Sequence, residues 1–139
     1  MDIIIETERL LIKNLTLNEI EVFNKRNIGK YDNNEFSIYL KDSNKKIGAI
    51  GFSFKDEKKV ELRYGIMNLY QGKGYMTETL KYFIDYLFSQ NINKIVIICK
   101  NDNNSSNKVA LKAGFKLLKT FNYQDFGECN YYELNSKKR

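Results

Sequence analysis

Tyr70-Gln71-Gly72-Lys73-Gly74-Tyr75-Met76-Thr77 is the stretch whose reading decides the fold. Upstream of it, Val60, Leu62, Tyr64 and Ile66 alternate with Glu61, Arg63, Gly65 and Met67. That period of two predicts a strand with one core face and one face carrying Glu61 and Arg63. Downstream, Met76, Leu80, Phe83, Ile84, Leu87 and Phe88 recur at helical spacing, so an amphipathic helix follows. The eight residues therefore join a strand end to a helix start. Gly72 and Gly74 lack a Cβ, which lets the backbone curl and aim successive N–H groups inward. The first N–H groups of a helix have no intrahelical acceptor, and the helix dipole is positive there. Together these make an anion site suited to a diphosphate, with the Lys73 charge at its mouth. On the turn alone, glycines that merely reverse the chain are the better reading. Two other phosphate motifs do not fit: the Gly-x-x-x-x-Gly-Lys run is absent, and a dinucleotide fingerprint needs a third glycine where Thr77 stands.

Working outward, residues 35 to 41, 46 to 54 and 59 to 67 read as three strands. The polar breaks Asp42-Ser43-Asn44 and Lys55-Asp56-Glu57-Lys58 separate them, which predicts an antiparallel meander. Residues 8 to 13 read as a short opening strand. Thr16 and Glu19 form a capping box for a helix with Leu17, Ile20 and Phe23 that fades near Asn27-Ile28-Gly29. Beyond the central helix, residues 94 to 99 are continuously apolar, as a strand buried on both faces requires. A second helix spans about Ser105 to Ala113, with Gly114 placed to close it. Phe115 to Phe121 and Cys129 to Leu134 complete the pattern as two strands joined by residues 122 to 128. The expectation is a single α+β or three-layer α/β domain over residues 1–139: a mixed, mostly antiparallel sheet of about seven strands flanked by helices, crossing over through a helix in the middle.

Composition narrows the chemistry. The 139 residues are 42% hydrophobic and 14% aromatic, enough for one core and against global disorder. Only Cys99 and Cys129 are present, without motif spacing, which favours a reducing compartment over a disulfide scaffold; both read as small buried hydrophobes. There is no histidine. That excludes a His base, Ser-His and Cys-His dyads and His-ligated metal, so no metal is expected. No basic start with a long apolar core is visible, and no apolar run approaches the ~20 residues of a membrane span; a cytoplasmic protein is expected. The net charge of +6 and pI near 9.2 suit an anionic partner, either nucleic acid or a polyphosphate cofactor. The lysines are scattered rather than clustered, which argues against nucleic acid, and Lys137-Lys138-Arg139 reads as a solvated tail.

Gln71-Gly72-Lys73-Gly74-Tyr75-Met76 resembles the Gln/Arg-x-x-Gly-x-Gly/Ala loop of the GNAT superfamily of N-acetyltransferases. Glu6-Thr7-Glu8-Arg9-Leu10-Leu11-Ile12-Lys13 resembles the opening strand of the branch that acetylates ribosomal-protein N-termini. Asn103 to Phe115 resembles that branch's Asn-x-x-Ser-x-x-Val-x-x-Lys-x-Gly-Phe segment through Asn103, Ser106, Val109, Lys112, Gly114 and Phe115. The three motifs stand in the right order and span most of the chain. The resemblance implies a sheet that splays into a V for acetyl-CoA. It implies that Gln71, Gly72, Lys73, Gly74, Tyr75, Met76 and Thr77 hold the CoA diphosphate. The pantetheine arm would run after Ile66-Met67 and before Asn101, with Asn103 and Ser106 also lining the cofactor. A backbone N–H at Ile66 or Met67 would polarise the thioester carbonyl. The acceptor amine attacks directly, so no enzyme nucleophile is needed.

The sequence departs from the family pattern at three places. Met76 stands where the loop motif has a second small residue. Ala110 stands where many members carry a tyrosine that protonates the leaving thiolate, and Ser106 is the substitute the ribosomal branch suggests; a first-turn helix serine is the equal alternative. Residues 27 to 34 are short where members usually carry a longer helical insertion, which leaves the acceptor cleft open or completed by a second subunit of a homodimer. Glu61 is the candidate general base, acting through water on the acceptor ammonium. Its alternative is an ordinary ion pair with Arg63 or a neighbouring strand, and Asp125 is a weaker candidate. The acceptor is an amine of open identity: a protein N-terminus, a polyamine or another small amine. A non-catalytic acyl-CoA-binding module is the rival function.

Overall fold

A computed structural model describes residues 3–14 and 34–136. The expected capping box at Thr16 and Glu19, its helix, residues 27 to 33 and the Lys137–Arg139 tail lie outside the described residues. The elements are β1 (Ile3–Glu6), β2 (Leu10–Asn14), β3 (Glu35–Leu40), β4 (Lys46–Asp56), β5 (Lys59–Ile66), a 3-10 turn (Asn68–Tyr70), α1 (Tyr75–Ser89), β6 (Lys94–Lys100), α2 (Asn104–Lys112), β7 (Lys116–Asn122), a second 3-10 turn (Gln124–Phe126) and β8 (Glu128–Asn135). The strands form one eight-stranded sheet in the order β1-β2-β3-β4-β5-β6-β8-β7. Pairing is antiparallel for β1–β2, β2–β3, β3–β4, β6–β8 and β7–β8 and parallel for β5–β6. This is the expected α+β mixed sheet, with one more strand than the sequence suggests.

The extra strand is β1. It is four residues long and turns into β2 without a glycine, proline or Asn-Gly signal. The turn closes instead through Thr7, whose N–H donates to the Leu10 carbonyl at 2.9 Å and whose Oγ1 accepts from the Leu10 N–H at 3.0 Å. A side-chain-built turn of this kind leaves little trace in turn propensity.

The chain divides into two compact units, residues 1–52 with 63–79 and residues 53–62 with 80–139. In the first, Leu10, Ile12, Phe36, Ile38, Ile47, Ile50 and Phe52 are buried. The Phe36 and Phe52 rings stack with centroids 6.4 Å apart. A bulge sets the register of β3 on β4: Ile38 faces Gly48 but Tyr39 faces Lys46, so Ile47 is the extra residue. Gly48 allows close packing there, because a Cβ at that position would lie 2.5 Å from the Gly65 carbonyl oxygen.

In the second unit, Val60 and Leu62 of β5, Leu80, Phe83, Ile84 and Leu87 of α1, and Ile95, Val96 and Ile97 of β6 are buried. The three consecutive buried residues of β6 are the two-face burial that the unbroken apolar run predicts. Gly114, at φ +95, closes α2 by donating to the Leu111 carbonyl at 3.1 Å. β7 ends the sheet order and carries Leu117 and Leu118, both substantially exposed.

Candidate functional site

The loop between β5 and α1 takes the form that its glycines predict. Gly72 and Gly74 have φ of +77 and +81, the left-handed region that favours glycine. The first backbone bond back into α1 runs from the Glu78 N–H to the Gly74 carbonyl at 3.0 Å. The N–H groups of Tyr75, Met76 and Thr77 precede it and have no intrahelical acceptor. Gln71 works differently from its neighbours. Its N–H donates to the Asn68 carbonyl at 3.2 Å, and its Nε2 donates to the Ile66 carbonyl and Asn68 Oδ1, both at 3.1 Å. Gln71 therefore braces the 3-10 turn leading into the loop, and the open donors start after it. Lys73 is exposed, and Met76 is buried, its side chain directed into the core. The larger residue at the second small position is thus absorbed by packing. The donor set fits a diphosphate: several N–H groups without an intrahelical acceptor, a helix dipole and the exposed Lys73 cation.

A second group of residues, Thr7, Arg9 and Glu78, stands beside this loop. Glu78 Oε2 accepts from Thr7 Oγ1 at 2.6 Å and from the Arg9 N–H at 3.0 Å, and Oε1 accepts from Arg9 Nε at 2.7 Å. Burial pushes the Glu78 carboxyl up, but the hydrogen bonds from Thr7 and Arg9 and the Arg9 charge outweigh it, and the net shift is downward. The Arg9 guanidinium lies 4.2 Å from the Tyr75 ring centroid. The opening motif is therefore tied to the first turn of α1, a link that its sequence did not announce.

At the end of β5 the Met67 N–H already donates to the Ile47 carbonyl at 2.8 Å. Of the two N–H groups expected to polarise a thioester, this one is engaged. Lys46, Gly48, Ala49, Gly65, Ile66 and Met67 line a shallow depression of about 540 Å³ there.

Glu61 is half-buried, and its Oε1 accepts from Lys55 Nζ at 2.9 Å. The hydrogen bond to Glu61 and then its charge raise the Lys55 pKa. Arg63 pairs instead with Glu35. The ion pair that competes with a base role for Glu61 thus comes from β4, by a lysine that sequence reasoning read only as a loop residue. Asp125 sits in the exposed 3-10 turn at Gln124–Phe126.

At the start of α2, Asn103 is the N-cap: its Oδ1 accepts from the Ser106 N–H at 3.1 Å. Ser106 is half-buried in the first turn. Asn107, which sequence reasoning passed over, is the hub of this region. Its Nδ2 donates to the carbonyls of Lys100 at 3.0 Å and Asn103 at 2.7 Å. Its Oδ1 accepts from Tyr132 Oη at 2.6 Å, Asn130 Nδ2 at 2.8 Å and Cys99 Sγ at 3.4 Å. Burial, then the neighbouring Cys129, raise the Cys99 thiol to about 11; it is held as a neutral donor. Ala110 is fully buried. Among the described residues there is no cluster of three or more His, Cys, Asp or Glu that could hold a metal, and no helix long and apolar enough to cross a membrane.

The family profile described as Acetyltransferase (GNAT) domain matches residues 6–116. The chain belongs to the GNAT acetyltransferase family. Over 103 residues, 72% of the chain, it is 32% identical to an uncharacterized N-acetyltransferase p20 of Bacillus licheniformis and to the ribosomal-protein-serine acetyltransferase of Escherichia coli K12. The matched region is 53% and 56% of those proteins, so the chain spans about half the length of the curated relatives it matches. Two solved structures share its fold: a GNAT acetyltransferase from Bacillus anthracis, with a TM-score of 0.80 at 21% identity, covering 94% of this chain and 97% of that one; and the ribosomal L7/L12 N-acetyltransferase RimL in complex with coenzyme A, with a TM-score of 0.79 at 19% identity, covering 96% and 98%. In this GNAT chain the glycine loop joins β5 to α1, the opening motif runs from the end of β1 into β2, and the Asn103 to Phe115 segment spans α2 and its two ends.

Proposed function

We propose that the protein is an acetyl-CoA-dependent N-acetyltransferase that acts on a primary amine. The observation that carries this reading is the row of open N–H donors after Gln71, set at the start of α1 by two glycines of positive φ. Acetyl-CoA, when bound, supplies an acetyl group activated as a thioester. The N–H groups from Gly72 to Thr77 hold its diphosphate, with Lys73 adding charge. The Ile66 N–H is the better candidate for the thioester carbonyl, since that of Met67 is engaged. Glu61 takes the proton of the acceptor ammonium through water, once the acceptor has displaced Lys55 from the carboxylate. Ser106 is the candidate donor to the leaving thiolate. The acceptor classes are a protein N-terminus, a polyamine or another small amine. The ribosomal-protein-serine relative and a spermidine acetyltransferase chimera of the same fold support that range. Assembly as a homodimer belongs to the same reading as one of two alternatives for the short stretch 27 to 34: an acceptor cleft that stays open, or one completed by a second subunit. Two free cysteines fit a reducing cytoplasm.

A second reading, a non-catalytic acyl-CoA-binding module, is favoured by the Lys55–Glu61 ion pair, which occupies the candidate base. Release of CoA thiol, measured against peptides, polyamines, amino sugars and amino acids, separates the two. Turnover with at least one amine is expected, together with a Glu61→Gln variant whose kcat falls while acetyl-CoA affinity holds. Binding without turnover across the whole panel favours the module, and a Glu61→Gln pH–rate profile matching the parent's removes Glu61 as base.

A further inference from the structure

We propose that Arg9 is a cofactor-binding residue: its guanidinium, fixed by Glu78 and Tyr75, donates from its Nη atoms to the diphosphate of acetyl-CoA at Gly74. This rests on the reading of the glycine loop as the diphosphate site. The first support is where the free end of Arg9 lies. A Cβ built on Gly74 would stand 3.6 Å from Arg9 Nη2, so that nitrogen stands beside the cradle, on the side to which a Gly74 side chain would point.

The second support is how Arg9 meets Glu78. An arginine placed for ion pairing alone favours the bidentate fork, with two parallel N–H bonds to one carboxylate. Here the described side-chain bond runs from Nε to Oε1 at 2.7 Å, while Oε2 is occupied by Thr7 Oγ1 and the Arg9 backbone N–H. The carboxylate aims the guanidinium and leaves the Nη end toward the loop. Tyr75 adds a second hold on the guanidinium, a cation–π contact 4.2 Å from ring centroid to Cζ. With four of its five N–H donors on the Nη atoms, the group keeps its fork for a phosphate.

The third support is electrostatic. A cation beside a helix N-terminus opposes the helix dipole and is unfavourable in the empty protein. Glu78, in the first turn of α1, offsets part of that cost. A diphosphate would reverse its sign, because the helix start, Arg9 and Lys73 then act on one anion. Thr7 and Glu78 act as positioning residues for Arg9, which gives the opening Thr7-Glu8-Arg9 motif a role.

The test is calorimetric affinity and KM for acetyl-CoA and for S-acetylpantetheine, which lacks every phosphate, in the wild type, Arg9→Met and Arg9→Lys. The wild type should prefer acetyl-CoA. Arg9→Met should lose about tenfold or more in acetyl-CoA affinity, leave S-acetylpantetheine unchanged and keep its melting temperature within a few degrees. Arg9→Lys, a point charge without the fork, should recover part of the loss. Equal losses with both donors would make Arg9 a structural residue and overturn the proposal, as would an Arg9→Met variant that keeps its preference for acetyl-CoA. If the wild type itself does not discriminate between the donors, the diphosphate reading of the loop falls, and this inference with it.

Discussion

The two α-helix starts among the described residues are built in opposite ways. α2 begins at a self-sufficient end: Asn103 caps the Ser106 N–H, the Asn103 carbonyl accepts from the Asn107 N–H at 3.1 Å, and the Asn107 side chain ties the turn to β6 and β8. α1 begins at an open end. Its loop runs through two residues of positive φ, and its brace comes from the side, through Thr7, Arg9 and Glu78. A helix start with its donors satisfied internally is a structural joint. One left open and flanked by cations is prepared for an anion. The two GNAT motifs that the sequence displays most clearly therefore differ in kind, although both are Asn- or Gly-rich turns before a helix.

The largest effect should come from placing a negative charge in the open end. Gly74→Glu sets a carboxylate where the proposed site would hold the diphosphate, and acetyl-CoA affinity should fall by about a hundredfold or more, roughly 3 kcal/mol. Any side chain at φ +81 adds backbone strain, so Gly74→Ala is the control. Alanine should reproduce the loss of stability and only a small part of the loss of affinity, read by calorimetry and thermal melting. Matching affinities for the two variants would remove the charge argument.

Next is the closed end. Asn107→Ala takes the shared acceptor from the buried Tyr132 hydroxyl and the Asn130 amide, and removes one of the donors to the Lys100 and Asn103 carbonyls. It should destabilise the fold by about 2–4 kcal/mol in urea melts while changing acetyl-CoA affinity far less than Gly74→Glu. A variant that stays as stable as the parent would show that Asn107 is not a hub.

The smallest effect concerns the brace of the open end. The Glu78 carboxyl is lowered in the folded state. Its contribution is therefore present above the unfolded carboxyl value of about 4.3 and is lost as pH falls through the folded one. Relative to the parent, Glu78→Gln should cost on the order of 1 kcal/mol at neutral pH, and the difference should shrink below about pH 4. A difference that stays constant down to the acid transition would contradict the pairing with Arg9.

How far these ends were legible follows from what kind of group builds each. The positive-φ glycines, the periodicities of β5 and α1 and the Gly114 closure are local features, and each was readable from residue type and spacing. So was the mixed sheet, because an apolar run such as Ile95-Val96-Ile97 after an alternating meander implies a crossover. The Thr7 turn was not, since a side chain closes it. Nor were the partners that lie far apart in sequence. Arg9 meets Glu78 across 69 positions, and Asn107 meets Tyr132 across 25; a polar side chain carries no sign of which distant group will satisfy it. Glu61 shows the same limit. The expected partner was Arg63 or a group on a neighbouring strand; the structure takes the second course, giving Lys55 of β4 to Glu61 and Glu35 to Arg63, and the sequence does not single out which lysine.

Amide hydrogen exchange with and without saturating acetyl-CoA, read residue by residue at the two helix starts, tests the central claim most directly. The N–H groups of Gly72 to Thr77 should gain strong protection on binding, while Ser106, already bonded to Asn103, keeps the protection that it has without ligand. Unchanged exchange from Gly72 to Thr77 under saturating acetyl-CoA would contradict the account.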